Sequence, residues 1–157
     1  MHGISASLAQ TILSETGTDV TQWPTEKHYC SWLGLAPHND ISGGKVLRSR
    51  TLKTDNRAGQ AFRQAAASVT RSQCAFGAYY RRKKAQLGPM AALVATAHKI
   101  ARTVYHMFKH RVQYQDMGAD AYEQKQAERE LAYLKKKAAK LGFTLVQHAP
   151  APVTAPV

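Results

Sequence analysis

The sequence predicts a mainly α fold: a compact helical domain of about five helices around a central loop or short hairpin. Three observations carry this reading. Apolar residues recur at helical spacing in several stretches, glycine and proline punctuate the ends of those stretches, and residues 35–53 are dense in turn formers. At 157 residues the chain suits one domain with a real core.

Residues 4–16 place Ile4, Leu8, Ile12 and Leu13 on one helical face, with Gly17 as the stop. A second, short helix runs from Glu26 to Leu33, with Pro24 before it, Thr25 as its N-cap and Gly34 at its end. The segment 35–53 then gathers Pro37, Asn39, Asp40, Gly43 and Gly44, a loop or hairpin composition. From Asp55 helix returns: Ala58, Ala61, Phe62, Ala65, Ala66 and Val69 form a stripe whose small residues predict close helix packing. "FGAYYRRKKAQLG" continues helically from about Phe76 and stops at Gly88. Pro89 opens the longest apolar helix, 90–111, carrying Leu93, Val94, Ala97, Ile100, Ala101, Val104 and Phe108. A final amphipathic helix over 120–141 carries Tyr122, Leu131, Tyr133 and Leu134 and ends at Gly142. The domain is expected to span 1–143, followed by a disordered Pro/Ala-rich tail over 144–157.

Charge is unevenly placed along this frame. The whole chain carries +12 with pI ≈ 10.0, yet residues 41–111 alone carry +14, against −3 for residues 1–40 and +1 for 112–157. A positive middle between near-neutral ends is the footprint of a polyanionic partner, the plain alternative being a solvated basic surface. Cys30 and Cys74 lie far apart with no CxxC spacing, so a reducing compartment fits better than a disulfide scaffold. No apolar run reaches membrane-spanning length, and no basic-then-apolar leader opens the chain; a cytoplasmic protein with no membrane partner is expected.

The central loop reads "NDISGGKVLRSRTLK". Two glycines after Ser42 remove side chains that would block a close approach, and Lys45, Arg48, Arg50 and Lys53 follow within eleven residues. In an extended segment Arg48 and Arg50 share a face and can clamp phosphate oxygens. A serine attacking phosphate also needs its proton removed. His38 and Asp40 are neighbours only in sequence, so the loop offers no clear base. Ser-Gly-Gly is equally ordinary hairpin-turn chemistry.

Downstream, "YYRRKK" at Tyr79–Lys84 interleaves aromatics with Arg81, Arg82, Lys83 and Lys84. That pattern suits phosphate contacts with base stacking, or a solvated helix face whose tyrosines turn inward. His106 and His110 stand at i, i+4 on the long helix, but without a third ligand they read as satisfied or surface histidines, and no metal site is expected. Asp55 is the one acid between Ile41 and Arg111, so a complete two-metal phosphoryl-transfer site is not expected within this chain.

Taken in order, "GISASLAQTILSETG", "WPTEKHYCSWLGLAPHNDISGGK", "NRAGQAFRQAAASV" and "AYLKKKAAKLGF" resemble the C-terminal domain of the IS116/IS110/IS902-type bacterial transposases, the RNA-guided recombinases of the insertion-sequence one-ten class. The likeness runs from about Gly3 to Phe143, and its most specific part is the W-x-G-L-x-P…S-G-G-K block. The resemblance implies that Ser42 is the nucleophile joining covalently to DNA during strand cleavage. It also implies that the helical domain contacts DNA, a guide RNA and other copies of the chain. Gly43, Gly44, Lys45, Arg48, Arg50, Lys53, Arg57, Arg81, Arg82, Lys83 and Lys84 are the nucleic-acid-binding candidates on this view. "HGISASLAQ" is similar to the second half of a helix-hairpin-helix, with Ser5 where that turn's second glycine stands. Such proteins begin with a ribonuclease-H-like acidic domain that binds Mg²⁺, so the chain is expected to be a C-terminal piece, inactive alone, that meets magnesium only with that domain. The alternatives are a non-catalytic basic module for DNA or RNA, and a partner-binding scaffold built on the 120–141 helix.

Overall fold

The computed structural model describes residues 1–51 and 55–146. In chain order these form α1 (Ala6–Thr16), α2 (Glu26–Trp32), β1 (Pro37–Ser42), β2 (Lys45–Thr51), α3 (Arg57–Ser68), α4 (Ala75–Leu87), α5 (Pro89–His110) and α6 (Gly118–Lys140). The fold is mainly α, as the periodicity predicts. Each of the six helical stretches forms its own helix, so the described residues hold six rather than about five. The central segment is a two-stranded antiparallel hairpin.

Local chemistry explains most of the boundaries. Ser5 caps α1 by accepting from the Leu8 N–H at 3.3 Å, Thr25 accepts from His28 N–H at 3.5 Å, and Asn56 accepts from Gly59 N–H at 2.9 Å. Cys74 takes the same role for α4, its Sγ accepting from Gly77 N–H at 3.4 Å. Gly88 sits at φ +80°, turning the chain between α4 and Pro89, the first residue of α5.

Two units divide the chain, Met1–Tyr122 and a second from Glu123 onward. In the first, α3 packs against α1 and α5, and α5 also packs against α2 and α4. Its core is aromatic and small at once. Tyr29, Leu33, Phe62, Val69, Ile100 and Tyr105 are buried among Ala58, Ala61, Ala65, Ala97 and Ala101. Tyr29 meets Trp23, Phe62 and Tyr105 with ring centroids 4.9–6.3 Å apart, and the Tyr105 hydroxyl donates to Trp23 C=O at 2.9 Å. The alanine stripe of α3 lets backbones close up: a Cβ placed on Gly59 would lie 2.2 Å from the Leu33 carbonyl oxygen. In the second unit, α6 continues to Lys140 with an exposed surface along most of its length.

Candidate nucleic-acid interface

The hairpin is seated by the residues that lead into it. Leu33 and Leu35 are buried, and Gly34 between them takes φ +64°. Arg63 donates to Gly34 C=O at 2.8 Å and Asn56 to Trp32 C=O at 3.3 Å, so α3 grips the strand entrance at three consecutive residues. From Pro37 onward the ribbon leaves the helices: all its residues to Arg50 are exposed except Asp40, which is half-buried.

Gly43 and Gly44 form its two-residue turn with φ +55° and +76°, the left-handed pair that matches the twist of a tight hairpin. A Cβ at either would meet nothing within 4 Å, so the demand for glycine here is conformational rather than steric. Ser42, the last residue of β1, faces Lys45 across the turn.

The strand register decides what Ser42 sees. Asp40 opposes Arg48 while Ile41 opposes Val46, which leaves Leu47 as an extra residue in β2. Directly opposed residues share a face, and alternate residues along a strand return to it. His38, Asp40 and Ser42 therefore stand on one face with their partners Arg50, Arg48 and Lys45. Strict alternation would have turned Lys45 away from Arg48; the bulge at Leu47 brings it back. The other face carries Pro37, Asn39, Ile41, Val46, Ser49 and Thr51, with Ile41 and Val46 exposed at its tip. The ribbon thus has a cationic face with a hydroxyl at its end, and a partly apolar back.

Among the described residues no hydrogen bond reaches the Ser42 hydroxyl. Asp40 is paired with His38, Nε2 to Oδ1 at 3.8 Å. His38 and Asp40, which the sequence shows only as neighbours of Ser42 along the chain, are brought onto the serine's face by the strand.

The other candidates are distributed differently. Arg57 at the start of α3 is paired with Glu15 of α1 at 3.4 Å. Arg81 bends back to the Ser72 carbonyl at 3.1 Å and to the Gln73 side chain at 3.4 Å, serving the α3–α4 connection. Arg82 and Lys84 are exposed on α4, and Lys83 donates to Gln86 at 3.1 Å. Tyr79 turns inward to Tyr122, with Lys99 Nζ 5.3 Å from its ring centroid. Lys53 lies outside the described residues.

At the foot of β1 a cavity is lined by Glu26, Lys27, Ala36, Pro37, His98 and Arg102. Glu26 is held by both Arg102 and His106. Burial pushes the Glu26 carboxyl up, but the hydrogen bonds from Arg102 and His106 outweigh it and hold the group below its usual 4.5. A depressed carboxylate adds stability that is fully present above the unfolded value and is lost as pH falls through the folded one. Because both cations are half-exposed, the effect is expected to be about 0.5–1 kcal/mol. Glu26→Gln is therefore expected to lower stability at neutral pH by that amount and to flatten the acid limb of urea-unfolding midpoints measured below pH 4.5. An unchanged acid limb would remove Glu26 from the linkage.

Sequence reading missed one convergence. His2, Cys74 and Asp116 bring N, S and O donors within 4.8 Å of one another, from positions that sequence alone leaves far apart. Each atom is already engaged: Asp116 accepts from the Tyr114 hydroxyl at 2.8 Å and the Ala75 N–H at 3.3 Å, and lies 3.5 Å from His2. Cys74 accepts from Gly77 N–H and the Ser72 hydroxyl. The trio clamps the N-terminus of α4. Burial pushes the other thiol, Cys30, up to about 12, so it presents no ready thiolate.

The family model "Transposase IS116/IS110/IS902 family" matches residues 1–81, just over half of the chain. The chain belongs to this family. The matched segment holds α1, α2, the hairpin with Ser42, the gripping face of α3 and the start of α4. No curated protein and no solved structure matches the chain. Membership in the IS116/IS110/IS902 family supports a transposase role, which implies an interaction with DNA. Arg82, Lys83 and Lys84 lie just beyond the matched residues of the transposase. No helix among its described residues is long and apolar enough to cross a membrane.

Proposed function

We propose that this transposase chain presents Ser42 as the nucleophile for DNA strand cleavage. The observation that carries the reading is the bulged register, which sets Ser42, Lys45, Arg48 and Arg50 on one exposed face beside a glycine turn. The serine Oγ attacks a backbone phosphorus. An Oγ–P bond forms as a sugar oxygen leaves, and the phosphoester energy is kept in the covalent joint for rejoining. Lys45, Arg48 and Arg50 bind the non-bridging oxygens, where charge builds in the transition state. A two-stranded ribbon exposed on both faces has no core of its own, and it gains one by docking on its partner.

Magnesium does not fit the hairpin. Its serine face carries a single carboxylate, Asp40, already paired with His38, whereas Mg²⁺ needs near-octahedral oxygen donors. The metal, and the group that takes the serine proton, belong to the acidic domain of the assembled recombinase. Gly43, Gly44, Lys53, Arg57, Arg82, Lys83 and Lys84 complete the DNA contacts in this reading. A guide RNA, several copies per assembly and a cytoplasmic, nucleoid-associated setting follow from the family resemblance.

The test is covalent capture. Recombinase assembled with the acidic domain and its guide is incubated with labelled DNA, denatured, and digested for mass spectrometry. A nucleotide adduct on the peptide holding Ser42 is expected. An adduct on another residue, or cleavage with no protein-bound DNA at all, would end the nucleophile reading.

A further inference from the structure

Beyond the strand-cleavage reading, and independent of it, α6 carries an unabsorbed pattern in its exposed half. Ala127, Leu131, Leu134, Ala138 and Leu141 follow one another at spacings of 4, 3, 4 and 3, the a/d alternation of a heptad seam. Leu131, Leu134 and Leu141 are 50, 45 and 65 % exposed, so this seam faces solvent rather than the protein's own core. The flanking e and g positions are Glu128 and Glu130 in one heptad and Lys135 and Lys137 in the next. None of these four makes an ion pair among the described residues.

We propose that the α6 seam pairs with the α6 of a second copy of this chain as an antiparallel coiled coil. The charges select the occupant. Two acidic flanks followed by two basic flanks make the helix complementary to itself when it is reversed. With Leu131 packed in one layer with Leu134 of the other copy, Ala127 meets Ala138 and Gln124 meets Leu141. The e positions then set Glu128 against Lys135, and the g positions set Glu130 against Lys137. The two-fold axis repeats each contact, giving four opposite-sign pairs around a centre of four leucines. A parallel pair offers only Glu130 against Lys135, twice, and sets Glu123 against Glu128. Orientation is therefore written in the charge order. Six layers bury a small interface, so association in the micromolar range is expected.

Sedimentation velocity on the full chain over the micromolar range is expected to show a monomer–dimer equilibrium without nucleic acid. Leu131→Asp with Leu134→Asp should weaken it about 100-fold or more, with the circular dichroism melt of the rest of the chain unchanged. Glu128→Lys with Glu130→Lys, and separately Lys135→Glu with Lys137→Glu, should each weaken self-association, and mixing these two variants should restore a dimer. For orientation, Leu141→Cys alone should not cross-link under oxidation, whereas a mixture of Leu141→Cys and Gln124→Cys chains should. A chain that stays monomeric, that associates only when DNA is added, or that self-associates unchanged in the aspartate variant overturns the proposal. Cross-linking of Leu141→Cys to itself overturns the antiparallel arrangement. Because none of these readouts involves Ser42, their failure leaves the cleavage reading standing, and the reverse holds too.

Discussion

Ser42→Ala, placed in an assembly that supplies the acidic domain, is expected to lose strand cleavage by about 1,000-fold or more while DNA affinity holds. The asymmetry follows from what the substitution removes. Alanine deletes one exposed oxygen, which makes no hydrogen bond among the described residues, and leaves the turn and the three cations of the same face in place. Its folding cost is therefore small, and the loss falls on the covalent step. Lys45→Ala, Arg48→Ala and Arg50→Ala are expected to behave in the opposite sense. Each should weaken binding at every DNA sequence and lower the slope of log affinity against log salt by about 0.9 for each phosphate no longer neutralised. A filter-binding salt titration beside a cleavage time course separates the two classes. Cleavage by Ser42→Ala at the parent rate removes the serine from the chemistry. A salt slope untouched by all three cation changes removes the hairpin face from the interface.

Gly59→Ala is expected to cost about 3 kcal/mol or more, which for a chain of this size is a fall of roughly 6–12 °C in Tm. Helix propensity alone gives the opposite sign, since alanine in a helix interior is favoured over glycine by about 1 kcal/mol. Packing wins because the new Cβ would stand 2.2 Å from the Leu33 carbonyl oxygen, and that atom is backbone with no rotamer to yield. Relief requires α3 to move off the 33–34 segment, stretching the Arg63–Gly34 and Asn56–Trp32 bonds that seat the hairpin. Loss of DNA binding should thus accompany loss of stability. Gly142→Ala is the control: at φ +81° with nothing within 4 Å, it should cost only about 1 kcal/mol from backbone strain. Equal melting shifts for the two variants would show that the close approach at Gly59 is not a stability determinant.

Ser42 and its glycines stand out in the sequence because a two-residue turn has a local signature. The helices stand out because amphipathic spacing, Thr25 and Pro89 act within a turn or two of themselves. The same loop residues read as turn chemistry or as a nucleophile, and composition could not choose between them. Arg81 and Tyr79 look like surface recognition groups in "YYRRKK", yet their partners are the Ser72 carbonyl and Tyr122, which only the packing supplies.

By itself, then, the sequence determined the helical class, the caps, the positive middle and the glycine turn, because each arises from interactions between near neighbours along the chain. Only the tertiary structure decided that Leu47 is an extra strand residue, that Lys45 therefore joins Arg48, Arg50 and Ser42 on one face, and that Gly59 must carry no side chain. Those outcomes depend on which backbone atoms lie opposite one another across a strand pair or a helix contact. Such register is set by the summed packing of distant segments, and no local spacing encodes it.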